Sequence, residues 1–575
     1  MTVIFEKRFE RTLDKLVAEA KQGESLQAWT FDDRESRLDA ERQLAEKGVQ
    51  ARIFSAYKPL VHAFIEDIDL SDIVAIEIHY PVHPNAPENR FRLEAYPLAA
   101  MVGERKISFL GRQDDAFHYD VLLKTRTGEE KKIVVPAPNR VHTDFADETS
   151  VSPTGWLTRG TESGRIETDY EALFTETMDS ITTYQWGETE PYFEELNIRV
   201  THPAADEMLH VGDERTSLRE ALHEDFYFSL LEFFQKKSGR PLGDRGLKPG
   251  QIVPEIIQSI GEISVRVELR QLSTGFTDGT EQNTDSANQP LSHTQIQNVL
   301  STSIEGESFH AKTRSGRTVN GRYRSGSDSA VMISGGQHAN ETTGVAGALR
   351  AAKLLSERDG AHFTISPLEN PDGYALHQRL CKDNPRHMHH AARYTALGDD
   401  LEYRTEKTAS GFINEKEIRF QAQSLSGALL HVNLHGYPSH EWTRPLSGYV
   451  PRNFAMWTVP KGFFLIARYH SNWENQAETL LDRVTEHLGA IPGLLEYNNR
   501  QIALYEIHAG ETGFRIINGF PCLASVDDRH DVPMTLITEY PDETIYGPDF
   551  IVGHTAQMET VLSAYNAWQD IMKTS

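Results

Sequence analysis

The sequence predicts an α/β domain in its C-terminal half, preceded by an α+β region. The apolar run Val331–Ile333 is typical of a buried strand, and from Thr342 the apolar residues recur at helical spacing. Two further apolar runs, at 428–434 and 534–538, also have the length of buried strands. The order strand, turn, helix, strand indicates a layered α/β domain.

The first 140 residues are predicted to form an α+β module. Phe5, Phe9, Leu13 and Leu16 recur as on one face of a charged N-terminal helix. Pieces in which polar and apolar residues alternate then predict antiparallel strands at 51–57, 72–80, 117–123 and 132–135.

The length of 575 residues predicts several domain-sized units. We expect modules at 1–140 and 141–270, the second rich in helix, with helices at 170–184 and 217–237. A polar linker at 271–295 without periodicity separates them from a catalytic domain at 296–575. Two polar clusters in the second module are interpreted as solvated helix faces and caps rather than as metal sites: His202, Asp206, Glu207 and His210, and residues 223–225.

Composition narrows the range of partners. The formal net charge of −26 argues against nucleic acid or an anionic membrane as a partner. No apolar run approaches the length of a membrane span, and the N-terminus has no signal-peptide core. The two cysteines exclude a disulfide scaffold and favour a cytoplasmic setting. A homo-oligomer formed through the N-terminal region remains open.

Two residues at the strand-to-helix turn predict a metal site. His338 and Glu341 stand three positions apart, so one helical turn brings an imidazole nitrogen and a carboxylate to one point. Zinc accepts such ligands, and a catalytic zinc has three protein ligands and one open position. His435, followed by Gly436 at a strand end, is the predicted third ligand, with His431 on the same strand face as the alternative. Iron or manganese would also suit this ligand set.

Residues in the C-terminal half resemble the zinc carboxypeptidase family. The pattern consists of His338-x-x-Glu341, Asn370-Pro-Asp-Gly-Tyr374, the distal His435 and Glu539 at the end of a late strand. The resemblance covers roughly residues 300 to 575. It implies a mixed, twisted sheet of about eight strands flanked by helices, with one zinc ion per chain. It also implies that Glu539 is the general base and acid.

The same resemblance suggests further site residues. Arg393, nine positions before residue 402, is the candidate for stabilising the oxyanion, with Arg379 as its competitor. Tyr505 is the candidate for a tyrosine that closes on the substrate. The histidine-rich segment 386–390 is interpreted as a solvated loop.

One departure from the family pattern concerns substrate binding. Glu402 and Tyr403 occupy the positions where the family has Asn-Arg to hold a terminal carboxylate. An anionic side chain there would repel a carboxylate and favour a cationic or amine-bearing substrate. Arg404 could substitute for the missing arginine, although an adjacent strand residue points to the opposite face.

The sequence therefore predicts a zinc-dependent metallopeptidase that cleaves a peptide or amide bond, like a carboxypeptidase. One alternative is an amidase or deacylase acting on a small conjugate in the same fold. A second alternative is a non-catalytic binding or assembly protein with a vestigial metal site. The function of residues 1–270 stays open.

Overall fold

The computed structural model of the chain describes residues 2–276, 279–452 and 457–574. Residues 277–278 of the predicted linker lie outside the described residues. Among the described residues, no helix has both the length and the apolar character needed to cross a membrane.

Strands and helices alternate irregularly in the front half, as expected for an α+β region. The strands are β1 (Thr2–Phe9), β2 (Ser25–Thr30), β3 (Gln50–Ser55), β4 (Ile73–Pro81), β5 (Lys106–Arg112), β6 (His118–Thr125), β7 (Glu130–Pro136), β8 (Asn139–Thr143), β9 (Thr149–Pro153), β10 (Trp156–Arg159), β11 (Glu162–Arg165), β12 (Glu195–His202), β13 (Glu207–Met208), β14 (Arg215–Thr216), β15 (Gln251–Gln258) and β16 (Ile263–Arg270). The helices are α1 (Thr12–Glu19), α2 (Arg34–Glu46), α3 (Pro59–Glu66), α4 (Arg90–Glu94), α5 (Leu98–Met101), α6 (Asp169–Thr182) and α7 (Leu218–Lys237).

The back half forms one large sheet with helices packed against it. Its strands are β17 (Glu307–Lys312), β18 (Thr318–Arg324), β19 (Val331–Gly335), β20 (Phe363–Ser366), β21 (Leu430–Pro438), β22 (Phe464–Tyr469), β23 (Arg515–Ile517), β24 (Phe520–Val526) and β25 (Met534–Glu543). Its helices are α8 (His293–Thr302), α9 (Thr342–Ser356), α10 (Pro371–Cys381), α11 (Glu417–Ser426), α12 (Glu474–Gly489), α13 (Leu494–Ala509) and α14 (Pro548–Thr574).

The sheet of the back half is mixed, and this confirms the predicted fold class. Among the described residues it has nine strands in the order β17-β18-β20-β19-β21-β25-β22-β24-β23. The central strands β20, β19, β21 and β25 run parallel, whereas β22 is antiparallel to β25. The main apolar core lies between this sheet and α9, α12 and α14. The carboxyl ends of β19, β21 and β25 therefore meet at one edge, where α/β sheets place their sites.

The N-terminal segment differs from its prediction. Residues Thr2–Phe9 form a strand, and the helix begins only at Thr12. Strand β1 pairs antiparallel with β16, from Thr2 opposite Leu269 to Phe9 opposite Ile263. The spacing of Phe5 and Phe9 fits a helix face, but it equally fits one face of a strand, and pairing with a distant segment decides between them.

The pairing of β1 with β16 also joins the two predicted front modules in one sheet, in the order β1-β16-β12-β15. The predicted boundary near residue 140 thus lies between strands of the same sheet. The division of the chain into domains stays a prediction.

Helix α7 was wrongly expected to present solvated polar faces. His223, Glu224 and Asp225 are buried, and so are residues 387–390 of the supposed solvated loop. The Asp225 carboxylate accepts a hydrogen bond from the backbone N–H of Leu446, and Glu232 pairs with Arg444 at 2.8 Å. These polar side chains are buried because their partners come from the back half, which a helix-face pattern cannot reveal.

Candidate metal centre and substrate cavity

Three local structures position the predicted metal ligands. His338 lies in the turn after β19, where Gly336 adopts a left-handed φ of +59°. Glu341 is the N-terminal cap of α9, and its side chain makes no capping hydrogen bond there. His435 lies on β21. The turn and the parallel strand thus place all three at the same edge of the sheet.

The three side chains converge at one buried point. Nδ1 of His338 lies 2.8 Å from Oε1 of Glu341, and Nδ1 of His435 lies 3.1 Å from its Oε2. The two Nδ1 atoms are 3.0 Å apart. In the described part of the chain this is the group of histidine, cysteine and acidic residues that could hold a metal, with all ligand atoms within 4.8 Å of one another.

The ligand atoms suit a divalent cation. Two imidazole nitrogens facing each other and a carboxylate provide the nitrogen and oxygen ligands that zinc accepts. Burial raises the pKa of Glu341, but the charges of His338 and Arg393 oppose this effect. The resulting pKa lies well below the ordinary value of a glutamate. The Glu341 carboxyl is therefore anionic, as a ligand of a divalent cation would be. The alternative His431 lies apart from the cluster and makes a 2.7 Å hydrogen bond with Ser334.

Asp400 is a site residue that the sequence analysis did not single out. Its Oδ2 lies 3.3 Å from Nε2 of His338, and its Oδ1 accepts hydrogen bonds from Gln337 and from the backbone N–H of Glu402. Burial raises the pKa of Asp400, but the charge and hydrogen bond of His338 and the backbone N–H of Glu402 together lower it well below its ordinary value. A carboxylate at the far nitrogen of a histidine ligand fixes the orientation and tautomer of its ring. The segment Gly398-Asp399-Asp400, which precedes residue 402, was the available signal.

Glu539 lies beside the ligand cluster. It is opposite His435 in the parallel pairing of β21 and β25, and its side chain is buried. Within the described residues, its Oε2 has no hydrogen-bond partner. Burial raises the pKa of Glu539 and Glu341 raises it further, against the opposing charges of Arg393 and Lys461.

The two candidate arginines differ in position. Nη1 of Arg393 lies 2.6 Å from Oε1 of Glu341 and 3.3 Å from Oε1 of Glu543. Arg379 instead pairs with Glu195 of the front half at 2.9 Å. Arg393, but not Arg379, is among the described residues that line the cavity at the metal cluster.

That cavity has a volume of about 230 Å³ and is mostly walled by polar and aromatic side chains. Among those lining it are Arg245, His338, His390, Arg393, Asp400, Glu402, Tyr403, His435, Tyr437, Trp442, Trp457, Ile466, Arg468, Ile537 and Glu539.

The predicted substrate-binding residues do not all lie at this cavity. Glu402 and Tyr403 line it, whereas Tyr505 is not among its described lining residues. Tyr505 is buried on α13 and packs with Leu93, Tyr96 and Val459. Arg404 is buried too, and pairs with Asp399 at 2.6 Å.

Similarity to known proteins is found among solved structures. No family model and no curated protein sequence matches the chain. A metallo-carboxypeptidase from Burkholderia cenocepacia is 12% identical with a TM-score of 0.31, covering 54% of this chain and 77% of its own. This chain is thus similar to a metallo-carboxypeptidase over about half of its length.

Two further solved structures are similar at the same level. A succinylglutamate desuccinylase/aspartoacylase from Rhodobacter sphaeroides is 12% identical with a TM-score of 0.26, over 45% of this chain and 65% of that one. Thrombin activatable fibrinolysis inhibitor is 11% identical with a TM-score of 0.29, over 49% and 72%. At these scores the likeness carries no argument about function, which depends on the residues of this chain.

Proposed function

We propose that this protein is a zinc-dependent hydrolase that cleaves a peptide or amide bond. The observation that carries the proposal is the buried convergence of His338, Glu341 and His435 next to the Glu539 carboxyl at a cavity. Three protein ligands leave one position open, as catalytic rather than structural zinc requires.

Zinc held by these three residues would polarise the scissile carbonyl and lower the pKa of a bound water. Glu539 is assigned the role of general base, taking a proton from the attacking water and passing it to the leaving nitrogen. Its burial supports this role, because burial raises the pKa of the Glu539 carboxyl and makes its carboxylate a stronger proton acceptor.

Arg393 is assigned to the oxyanion. Its guanidinium remains fully charged at any working pH, and Glu341 and Glu543 hold it at the cavity wall. A fixed positive group stabilises the charge that develops on the carbonyl oxygen during attack. Asp400 is assigned to orienting His338, since its Oδ2 lies 3.3 Å from Nε2 of that ring.

A second candidate function is an amidase or deacylase that acts on a small conjugate. The small cavity volume of about 230 Å³ favours it, because this space holds little more than one residue-sized group. Both candidates use the same metal ligands and the same base, and they differ only in the substrate.

Metal content and turnover test the proposal together. We expect one zinc per chain in the wild type and in Glu539→Gln, and none in the His338→Ala/His435→Ala double variant. Turnover of a panel of peptides and N-acyl amino acids should be lost in both variants. A wild type that binds no zinc when supplied with it, or a Glu539→Gln variant with full activity, would contradict the proposal.

A further inference from the structure

The Glu402 carboxylate is already paired within the chain. Arg468 donates to its Oε1 at 2.8 Å, Arg419 donates to its Oε2 at 3.3 Å, and Nε2 of His530 lies 3.2 Å from Oε1. These groups offset the negative charge that was expected to repel an anionic substrate. The repulsion is therefore much weaker than the sequence alone implies.

Tyr403 stands where the family resemblance expects an arginine. It follows Glu402 in a short 3₁₀ turn and 45% of its surface is exposed, so its ring faces the cavity and solvent without a charge. The chain thus has no guanidinium of its own at position 403. Any cationic group beside this position therefore comes from another segment.

The front half supplies such a group. Arg245, in the loop that follows α7, lines the same cavity as His338 and Glu539. Its Nη1 donates a 3.0 Å hydrogen bond to the hydroxyl of Tyr394, and its guanidinium lies 6.0 Å from the ring centre of Tyr403. Two tyrosines from the back half therefore hold an arginine of the front half beside position 403.

We propose that Arg245 binds a carboxylate of the substrate, so that the front half completes the substrate site. This inference rests on the proposed hydrolase function. A guanidinium matches a carboxylate with two parallel hydrogen bonds, and its planar face suits an aromatic neighbour such as the Tyr403 ring. Arg393 lines the same cavity, and an anion near both guanidinium groups offsets their mutual repulsion.

The location of Arg245 also gives the front half a role at the site. The loop that carries it is tied to the back half, since the backbone N–H of Gly250 donates to the carbonyl of Leu397 at 3.0 Å. Lys248 of the same loop lies 3.6 Å from Asp399. These contacts hold the loop against the segment that carries Asp400 and Glu402.

The test compares a peptide acid with its amide. Ile466, Ile537, Tyr437 and Trp457 give the cavity an apolar wall, so benzoyl-glycyl-phenylalanine and its C-terminal amide are suitable probes. Turnover is measured for the full-length, zinc-loaded wild type, Arg245→Ala and Arg245→Lys. Arg240→Ala is the matched control, because Arg240 lies in the same loop and pairs with Glu190 away from the cavity.

We expect Arg245→Ala to lower kcat/KM for the acid about 10- to 100-fold, as expected for losing charge-assisted hydrogen bonds, with most of the effect in KM. The amide should change less than about twofold. Arg245→Lys should recover part of the loss, and Arg240→Ala should behave like the wild type. The inference would be overturned if Arg245→Ala left the ratio of kcat/KM for the acid to kcat/KM for the amide unchanged. It would also be overturned if this ratio fell only in Arg468→Ala.

Binding measurements separate this inference from the proposed function. Calorimetry with zinc-loaded Glu539→Gln, with and without Arg245→Ala, reports affinity for both probes without turnover. Preferential binding of the acid that depends on Arg245, in a wild type that hydrolyses neither probe, would support the inference and contradict the proposed reaction. Hydrolysis of acid and amide at equal rates would support the reaction and overturn the role of Arg245.

Discussion

Asp400 lies 3.3 Å from Nε2 of His338, on the side of the ring opposite to the Glu341 carboxylate. The imidazole is thus held between two carboxylates, one for each nitrogen. Such an arrangement fixes the tautomer of a histidine, so that Nδ1 of His338 faces the candidate metal position.

This relationship predicts a loss of metal affinity in Asp400→Asn. An amide places a neutral and partly donating group opposite Nε2, so we expect zinc affinity to fall about 10- to 100-fold. Competition with a chromophoric chelator measures the affinity. Asp482→Asn, which changes an exposed carboxylate on α12, is the control and should bind zinc as the wild type does.

The assigned role of Arg393 predicts a kinetic effect that Arg379 does not share. Arg393→Ala should lower kcat about 10²- to 10³-fold, because a fixed charge at the developing oxyanion is lost. Arg379→Ala should leave kcat within a few-fold, since Arg379 pairs with Glu195 of the front half. Steady-state kinetics on zinc-loaded proteins checks both. Equal losses in the two variants would argue against the assignment.

The close packing around Gly436, next to the candidate metal site, predicts that a side chain at this position lowers the free energy of unfolding. A Cβ atom at this position would lie 2.0 Å from Oδ1 of Asp542 and 2.7 Å from the carbonyl oxygen of Tyr540. Asp542 in turn accepts hydrogen bonds from the backbone N–H and hydroxyl of Thr343 at the start of α9. Gly436→Ala should therefore reduce the free energy of unfolding by about 1–3 kcal/mol.

Thermal and denaturant unfolding measure this loss. Gly164→Ala is the control, because a Cβ there meets no atom within 4 Å. If the two variants were equally stable, the close approach of Asp542 to β21 would not be a real constraint.

The burial of Lys461 predicts that the free energy of unfolding depends on pH. Burial lowers the pKa of Lys461 to about 7, although the charge of Glu539 opposes the shift. Between this value and the ordinary lysine pKa of about 10.4, the unfolded chain binds a proton that the folded chain lacks. Stability therefore rises with pH across this window and is lowest below pH 7, where the buried amine must be charged.

Lys461→Met should remove that dependence. We expect the variant to exceed the wild type by about 1–4 kcal/mol at pH 6, with the difference shrinking towards pH 10. Denaturant unfolding at several pH values gives the free energies. Lys382→Met replaces an exposed lysine and should show no such trend. A constant difference between Lys461→Met and wild type across the range would disprove the shift.

The fold class of the back half could be predicted from the sequence, because its buried strands are uninterrupted apolar runs. One helical turn was expected to bring His338 to Glu341, but both residues lie in the turn before α9, where the backbone N–H of Glu341 donates to the carbonyl of His338 at 3.2 Å. The sequence left His431 and His435, on one strand face, as candidates for the third ligand. Only the length of β21 in the structure shows that His435 lies at the sheet edge.

The predictions that were wrong concern segments whose structural partners lie far away in the sequence. Residues 2–9 form a strand because β16 pairs with them, and no local pattern contains that information. The polar residues of α7 are buried because His390, Arg444 and Leu446 reach them from the back half. Arg245 had no signal at all, since its loop shows no motif and its position depends on two tyrosines far along the chain.

The pairing of β1 with β16 also constrains how the protein is made. Strand β1 lies at an edge of its sheet, and its hydrogen-bonded neighbour is synthesised about 250 residues later. At typical translation rates this delay is roughly 12–50 s. During that time the backbone groups and apolar residues of β1 lack their final partner. An unpaired strand of this kind is a template for wrong pairing. The front half should therefore complete this sheet only after β16 has been made, and the step should be slow because the contact is so non-local.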